Sequence, residues 1–400
     1  MIFWVLPNSG LQTVSHLKSL LSEFEREHPD IRVELAVLTR DALWRRLFEF
    51  QRQPRRAETG DIVQIPHYWT ALFARLGIID PLPEFTPKSC LDEWIEPLRP
   101  HCLLPGSSDI YSVPWWMDVT ALHYRTDHMR AVCGNGSAAF REWDDVVRIC
   151  RELARKFGGG NYFPMENSNL RGSVNLRDLL PSIWSRGGDI FNTECTRAVV
   201  HREEALRGME DYLQLLSGGH MPLLRERGSL GTMLEGRASM TVSRRLSQSL
   251  LPENDEFEVK TVPLPGGLYG AHSLLSSYNL ALVKNAKNRS EAAELLKWLV
   301  RPAQQAMYCR MIHAFQPAAA EFEQFIFSSH ERMRTYSEIV AGARALPNVT
   351  VCGTYVEILD SALSRIAIAV ARGSYSSGML LQEMVKVQVE MDYLLSLYGE

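Results

Sequence analysis

The chain has 400 residues, 46% apolar and 22% charged, with a net charge of −4. Single cores stop growing at roughly 250–300 residues, so two lobes or domains are expected. The charge balance argues against a nucleic-acid binder and the ordinary composition against wholesale disorder or coiled coil, while no apolar run approaches the roughly 18 residues of a membrane span.

Ile2 to Leu6 is expected as a buried strand running into the loop Pro7-Asn8-Ser9-Gly10. Ser9 is a candidate N-cap, with Leu11, Val14, Leu17, Leu21 and Phe24 following at helical spacing up to Pro29. Ile31, Val33, Leu35 and Val37 alternate as a half-buried strand. A second helix carries Leu43, Leu47 and Phe50, and Asp61 to Ile65 is a short buried strand. A third helix carries Trp69, Leu72, Phe73 and Leu76, with Gly77 as its stop. Strands alternating with helices imply an α/β layer with a mainly parallel sheet.

Residues 81–105 hold six prolines and no period, so a connection is expected there. Beyond it, Trp143, Val146, Val147, Cys150 and Leu153 mark an amphipathic helix. Leu179 to Trp184 leads into the turn Gly187-Gly188-Asp189, and Leu206 to Leu216 is helical. Strands follow near Met240, Val259 and Leu280. Asn288 is placed as the N-cap of a helix to Trp298, and the last third, from about Pro317, is helix-rich.

The seven cysteines are Cys90, Cys102, Cys133, Cys150, Cys195, Cys309 and Cys352. An odd count without a CxxC pair argues against structural zinc and against a disulfide framework. Buried free thiols are expected, which favours a reducing compartment. The first residues show no basic region, long apolar core or cleavage site. Two expectations follow: residence in the cytoplasm, or an export signal removed before this numbering begins.

Taken in order, the landmarks resemble the extracellular solute-binding proteins of the maltose-binding type, receptor subunits of carbohydrate ABC importers. They are Phe3-Trp4, His28-Pro29, Gly60-Asp61-Ile62-Val63, Leu76-Gly77, Tyr111-Ser112-Val113-Pro114, Trp184 with Gly187-Gly188-Asp189, Gly236-Arg237-Ala238-Ser239-Met240, Pro263-Leu264-Pro265-Gly266-Gly267 and Lys287-Asn288 with Ala292-Ala293. Two places depart from the family pattern: Ser243-Arg244-Arg245 stands where Gly-x-Trp is usual, and Tyr124-Arg125 where Tyr-Asn is usual. The resemblance implies a two-lobed, periplasmic-binding-protein-like α/β fold of type II, each lobe a mainly parallel sheet flanked by helices, with ligand in the cleft. Lobe 1 is expected from 1–113 and 264–314, and lobe 2 from 114–263 and 315–400. It implies a periplasmic location and, for an exported chain, ABC permease subunits as partners. A monomer is expected, with no cofactor.

Sugars present flat C–H faces and rings of hydroxyls, which aromatic faces and carboxylate, amide or Arg groups complement. In open α/β sheets such groups sit in loops beyond the carboxyl ends of strands. Asn8 and Ser9 follow the first strand, Ser9 having the alternative role of a cap. His67 and Tyr68 follow the third strand, with Trp69 reading as core by its spacing. Trp115 and Trp116 are adjacent on an extended segment and point to opposite sides, so one is expected in the core and the other toward ligand. Asp118 suits hydroxyl binding or a solvated turn.

Trp184 and Asp189 flank the Gly-Gly turn; in the resembling family that helix end approaches the cleft. Arg244 and Arg245 suit a clamp on a carboxylate or phosphate, interlobe salt bridges or a solvated face. Tyr278 and Asn279 follow the Gly266-Gly267 return, and Phe315 marks the last crossing as hinge or contact.

No phosphate loop, GxGxxG, HExxH or GxSxG occurs. No catalytic or metal residue is therefore assigned. The expected function is capture of a sugar or oligosaccharide by hinge closure and its delivery to an ABC importer. The alternatives are a cytoplasmic ligand sensor or adaptor on the same fold, and a carbohydrate-processing enzyme.

Overall fold

A computed structural model describes residues 1–53, 59–83, 85, 91–134, 140–166, 174–223, 229–244, 257–328 and 333–398. The strands are β1 (Ile2–Val5), β2 (Glu34–Val37), β3 (Ile62–Pro66), β4 (Val113–Val119), β5 (Ala121–Arg125), β6 (Phe163–Glu166), β7 (Ala238–Ser243), β8 (Val259–Val262) and β9 (Leu275–Leu282). The chain divides into two compact units, each discontinuous in sequence. Unit 1 takes Met1–Asp118, Leu275–Ser328 and Ala345–Gly353, and unit 2 takes Val119–Leu274, Ser329–Arg344 and Thr354–Glu400.

Unit 1 is built on a five-stranded sheet in the order β2-β1-β3-β9-β4. The strands form because apolar side chains fill both faces of the sheet: Phe3, Val5, Ile62 and Leu280 on one, and Trp4, Val63, Ile65 and Ala281 on the other, all buried. Helix Thr13–Glu27 buries Leu17, Leu20, Leu21 and Phe24. Phe24 meets Trp298 of helix Arg289–Leu299 edge-on, with centroids 5.6 Å apart. Unit 2 is built on a four-stranded sheet, β6-β7-β5-β8. Helix Trp143–Phe157 turns Val146, Val147, Cys150 and Leu153 inward, the stripe its sequence period predicts.

The sheets are mixed where mainly parallel ones were expected. β1 pairs parallel with β2 and β3, but β9 returns antiparallel to β3, with Tyr278 opposite Pro66. Among the described strands of unit 2 only β6 and β7 pair in parallel, and β5 lies antiparallel to both β7 and β8. The strands inserted from distant parts of the chain are the antiparallel ones, a feature that local alternation of strand and helix does not reveal.

Two capping assignments change. A 3-10 turn, Gly10–Gln12, precedes the first helix, so Gln12 rather than Ser9 stands at its N-cap. Leu11 and Val14, expected on the inner face, are exposed. Asn288 occupies an N-cap position without capping; its amide donates to Asp61 Oδ2 at 3.0 Å instead.

Candidate functional site

β1 and β3 are parallel and β9 is antiparallel to β3. The ends of β1 and β3 and the start of β9 therefore share one edge of the unit 1 sheet. Asn8, Ser9, His67, Tyr68 and Tyr278 gather there, and Asn279 sits one step inside, opposite Ile65. The Asn8 and Gln64 amides pair reciprocally at 3.0 Å, and Asn8 also donates to the Tyr308 hydroxyl at 2.7 Å. Asn8 is thus oriented by two residues far away in sequence. The Ser9 hydroxyl lies 3.1 Å from His16 Nδ1 and 3.4 Å from Thr13 Oγ1.

His67 is fully buried, and its Nδ1 lies 3.1 Å from the Ser277 backbone N–H. Its ring meets His101 edge-on at 4.4 Å. Burial, and then the neighbouring His67, push the His101 pKa well below the usual histidine range. Asn279 is also fully buried. It accepts from Ser277 Oγ at 2.8 Å and donates to Ser112 Oγ at 2.9 Å and to the His101 carbonyl at 3.3 Å. Both residues are therefore parts of a buried polar network beneath the edge.

Tyr68 is buried, and its hydroxyl has no hydrogen-bond partner among the described residues. The Arg40 guanidinium stands over Tyr68 at 5.3 Å and over Trp69 at 5.2 Å. Trp69 packs in a ring cluster with Trp44 and Phe73, as its helical spacing implies.

The tryptophan pair splits across the sheet. Trp115 stacks on Tyr308 with centroids 4.1 Å apart and 4° between planes, and Trp116 stacks on Tyr278 at 4.1 Å and 16°. Both tryptophans are buried, whereas Tyr278 is half-buried and is the accessible ring of its pair. Asp118, at the end of unit 1's first segment, is buried. Phe315 exchanges two backbone hydrogen bonds with Met117, both 2.9 Å, and meets Phe322 and Phe325 edge-on.

In unit 2, Trp184 lies in the last turn of helix Leu176–Ser185, and its indole N–H donates to Asp189 Oδ1 at 3.2 Å. Arg344 pairs with Asp189 Oδ2, and its guanidinium lies 4.6 Å from the Trp184 ring centroid. Trp184 is buried beneath this pair, while the Arg344 and Asp189 side chains keep 40% and 33% exposure. The turn between them needs glycine: Gly187 has φ +78°, and a Cβ there would lie 2.8 Å from the Tyr269 ring. Tyr269 is exposed, and its carbonyl lies 2.9 Å from His272 Nε2. Arg244 is half-exposed just past β7, and Arg245 lies outside the described residues.

Arg40, Gln64, Tyr308, Tyr269 and Arg344 join these groups without having been singled out from sequence. Only Tyr269 carried a signal, an aromatic between glycines in the Gly266–Gly270 turn. Chemically the two groups offer a tyrosine face, amides and a carboxylate–guanidinium pair. Taken unit by unit, a tyrosine face with amides suits C–H faces and hydroxyls, and a carboxylate–guanidinium pair suits hydroxyls.

A family model described as bacterial extracellular solute-binding protein matches residues 9–306. No significant match is found among curated proteins. Among solved structures, maltose-bound MalE3 of T. maritima has a TM-score of 0.80 at 20% identity, covering 98% of this chain and 100% of that one. An ABC transporter solute-binding protein of Thermotoga lettingae bound with α-D-tagatose has a TM-score of 0.81 at 14% identity, covering 99% of each chain. The GacH receptor of Streptomyces glaucescens, solved unliganded and with acarbose, has a TM-score of 0.78 at 15% identity over 98% of each. At these identities the likeness is one of fold.

Proposed function

This chain belongs to the bacterial extracellular solute-binding protein family, and we propose that it captures a carbohydrate and delivers it to an ABC importer. The family match over residues 9–306 carries the proposal. The maltose, tagatose and acarbose named for the structural neighbours point to a sugar or oligosaccharide as the solute class. In unit 1 the accessible ring would be Tyr278, backed by Trp116. In unit 2 the polar contacts would be Asp189 and Arg344, with their positions fixed by Trp184. Because Arg344 already faces a carboxylate, its charge is balanced within the protein, which favours a neutral sugar over an acidic one. The proposed role is binding and release without chemical change of the ligand, outside the cytoplasm, with permease subunits as the receiving partner.

A thermal-shift screen of the whole chain against neutral sugars, oligosaccharides, uronic acids, sugar phosphates and amino acids tests this. A ligand at about 100 times its dissociation constant adds about 2.7 kcal/mol of stability. A neutral carbohydrate is expected to raise the melting temperature and to be recovered unchanged. The shift should shrink in Arg344→Ala, while the ligand-free protein still melts cooperatively. A response confined to acidic ligands would reject the neutral-sugar assignment. A response confined to amino acids, or turnover of the bound sugar, would reject the carbohydrate-receptor reading itself.

A further inference from the structure

The last described helix, Ser377–Tyr398, carries two apolar ridges. The inner one, Leu380, Met384, Val387, Met391 and Leu395, is buried. The outer one, Leu381, Val385, Val389, Tyr393 and Leu397, recurs every fourth residue and is 40–63% exposed. A helix that packs by one face normally turns polar residues outward. Single exposed apolar residues are ordinary, but a continuous row along four turns marks an interaction surface.

We propose that this outer ridge is a self-association face, on which a second copy of the chain docks about a two-fold axis at Val389. Three features select that occupant. First, ridges with a four-residue repeat interdigitate with ridges of the same kind, crossing at about −50°, so the complement of this surface is the surface itself. A two-fold axis through Val389 sets Val385 against the partner's Tyr393, and Leu381 against the partner's Leu397.

Second, the charges at the ridge's margin match under that operation. Glu383 takes both Arg365 and Lys386 at 2.7 Å, which leaves a net positive cluster. Glu390, one turn further along the same flank as Lys386, is exposed and has no ionic partner among the described residues. The two-fold brings Lys386 of each copy to the flank that holds the partner's Glu390, so the charge pair forms twice. Third, a helix that lies on a membrane surface carries a Lys- and Arg-rich polar face. This ridge is instead bordered by Gln382, Lys386 and Glu390, whose charges cancel. A monomer is the expectation that accompanies the family resemblance; this face argues for a dimer.

Sedimentation equilibrium of the full chain across roughly 1–100 µM tests the proposal. The mass is expected to move from that of one chain toward twice that value. Val389→Glu should raise the dissociation constant by about tenfold or more, because association would bury an unpaired carboxylate. Lys386→Glu should weaken the dimer, and Lys386→Glu with Glu390→Lys should restore it, since the swap rebuilds the pair. In a Cys133→Ser background, Val389→Cys should cross-link to its own copy under mild oxidation, and Ser15→Cys on the exposed face of helix Thr13–Glu27 should not. The cross-linking arm stands even if a charged residue at 389 perturbs folding, which circular dichroism would show. A single-chain mass at every concentration would overturn the proposal. So would a dimer indifferent to Val389→Glu that also fails to cross-link through Val389→Cys.

Discussion

His123 illustrates what a single buried side chain can impose. It lies fully buried in β5, with Nδ1 3.0 Å from the Thr261 hydroxyl of β8. Burial lowers its pKa from 6.5 to about 4, so the folded protein holds a neutral ring. The unfolded chain takes up a proton as pH falls below about 6.5, and the folded chain resists until about 4. Stability contributed by the neutral ring is therefore complete above pH 6.5 and is lost as pH falls through that window. A shift of this size corresponds to about 3 kcal/mol. Burial shifts His101 of unit 1 in the same direction. Urea midpoints measured between pH 7 and pH 4 should fall for the native chain and fall less for His123→Gln. An equal fall in both would remove His123 as the cause. Such residues are hard to read from sequence. His123 stands in an apolar run, but its hydroxyl partner comes from 138 residues away. The Arg344–Asp189 pair spans 155 residues, and the Asn8–Tyr308 bond spans 300. No local period encodes such pairs, so Asn8 and Asp189 could be named from sequence while their partners Tyr308 and Arg344 could not.

Elements were legible to the extent that burial is periodic. Helix Trp143–Phe157 has the stripe its sequence predicts, because one face alone meets the sheet and the other alone meets water. The first helix misled because Leu11 and Val14 share the period of Leu17 and Phe24 yet lie in solvent. Hydrophobicity marks a face; it does not mark where the face ends. Close helix approach is a second property that pattern reveals poorly. Helix Glu203–Ser217 crosses helix Leu176–Ser185 at Gly208, where a Cβ would lie 2.4 Å from Ile183 Cα and 2.6 Å from the Ser182 carbonyl oxygen. Both obstacles are backbone, so no rotamer change relieves them. Alanine at Gly208 gains about 1 kcal/mol of helix propensity, but separating the helices costs about 1–3 kcal/mol and leaves gaps beside the new methyl. Gly208→Ala should therefore lower the melting temperature by several degrees, whereas Arg207→Ala on the exposed flank should change it little. A melting temperature at or above the native value would show that the helices can part without loss.

At the scale of the whole chain, order along the sequence and neighbourhood in space diverge. The sheet of unit 1 takes β1 to β4 from the first 119 residues and then waits for β9, which arrives more than 150 residues later. β9 does not extend an edge; it lies between β3 and β4. Its Leu280 and Leu282, with Trp298 and Tyr308 beyond, share one core with Phe3, Phe24 and Trp115. A fragment of residues 1–118 therefore has β3 with a bare inner edge, β4 without its neighbour and half of a core facing water. Unpaired strand edges and exposed apolar surface favour aggregation over folding. That fragment made alone should lack cooperative melting and bind a hydrophobic dye. Supplying residues 275–353 in trans should restore a cooperative transition, because those residues bring β9, helix Arg289–Leu299 and their share of the core. Cooperative melting of 1–118 by itself would show that β9 is an addition to a sheet already complete. Formation of this unit only after its distant segment is made fits a slow, long-range folding step. It also explains why a series of short motifs can announce the fold while no single segment can build it.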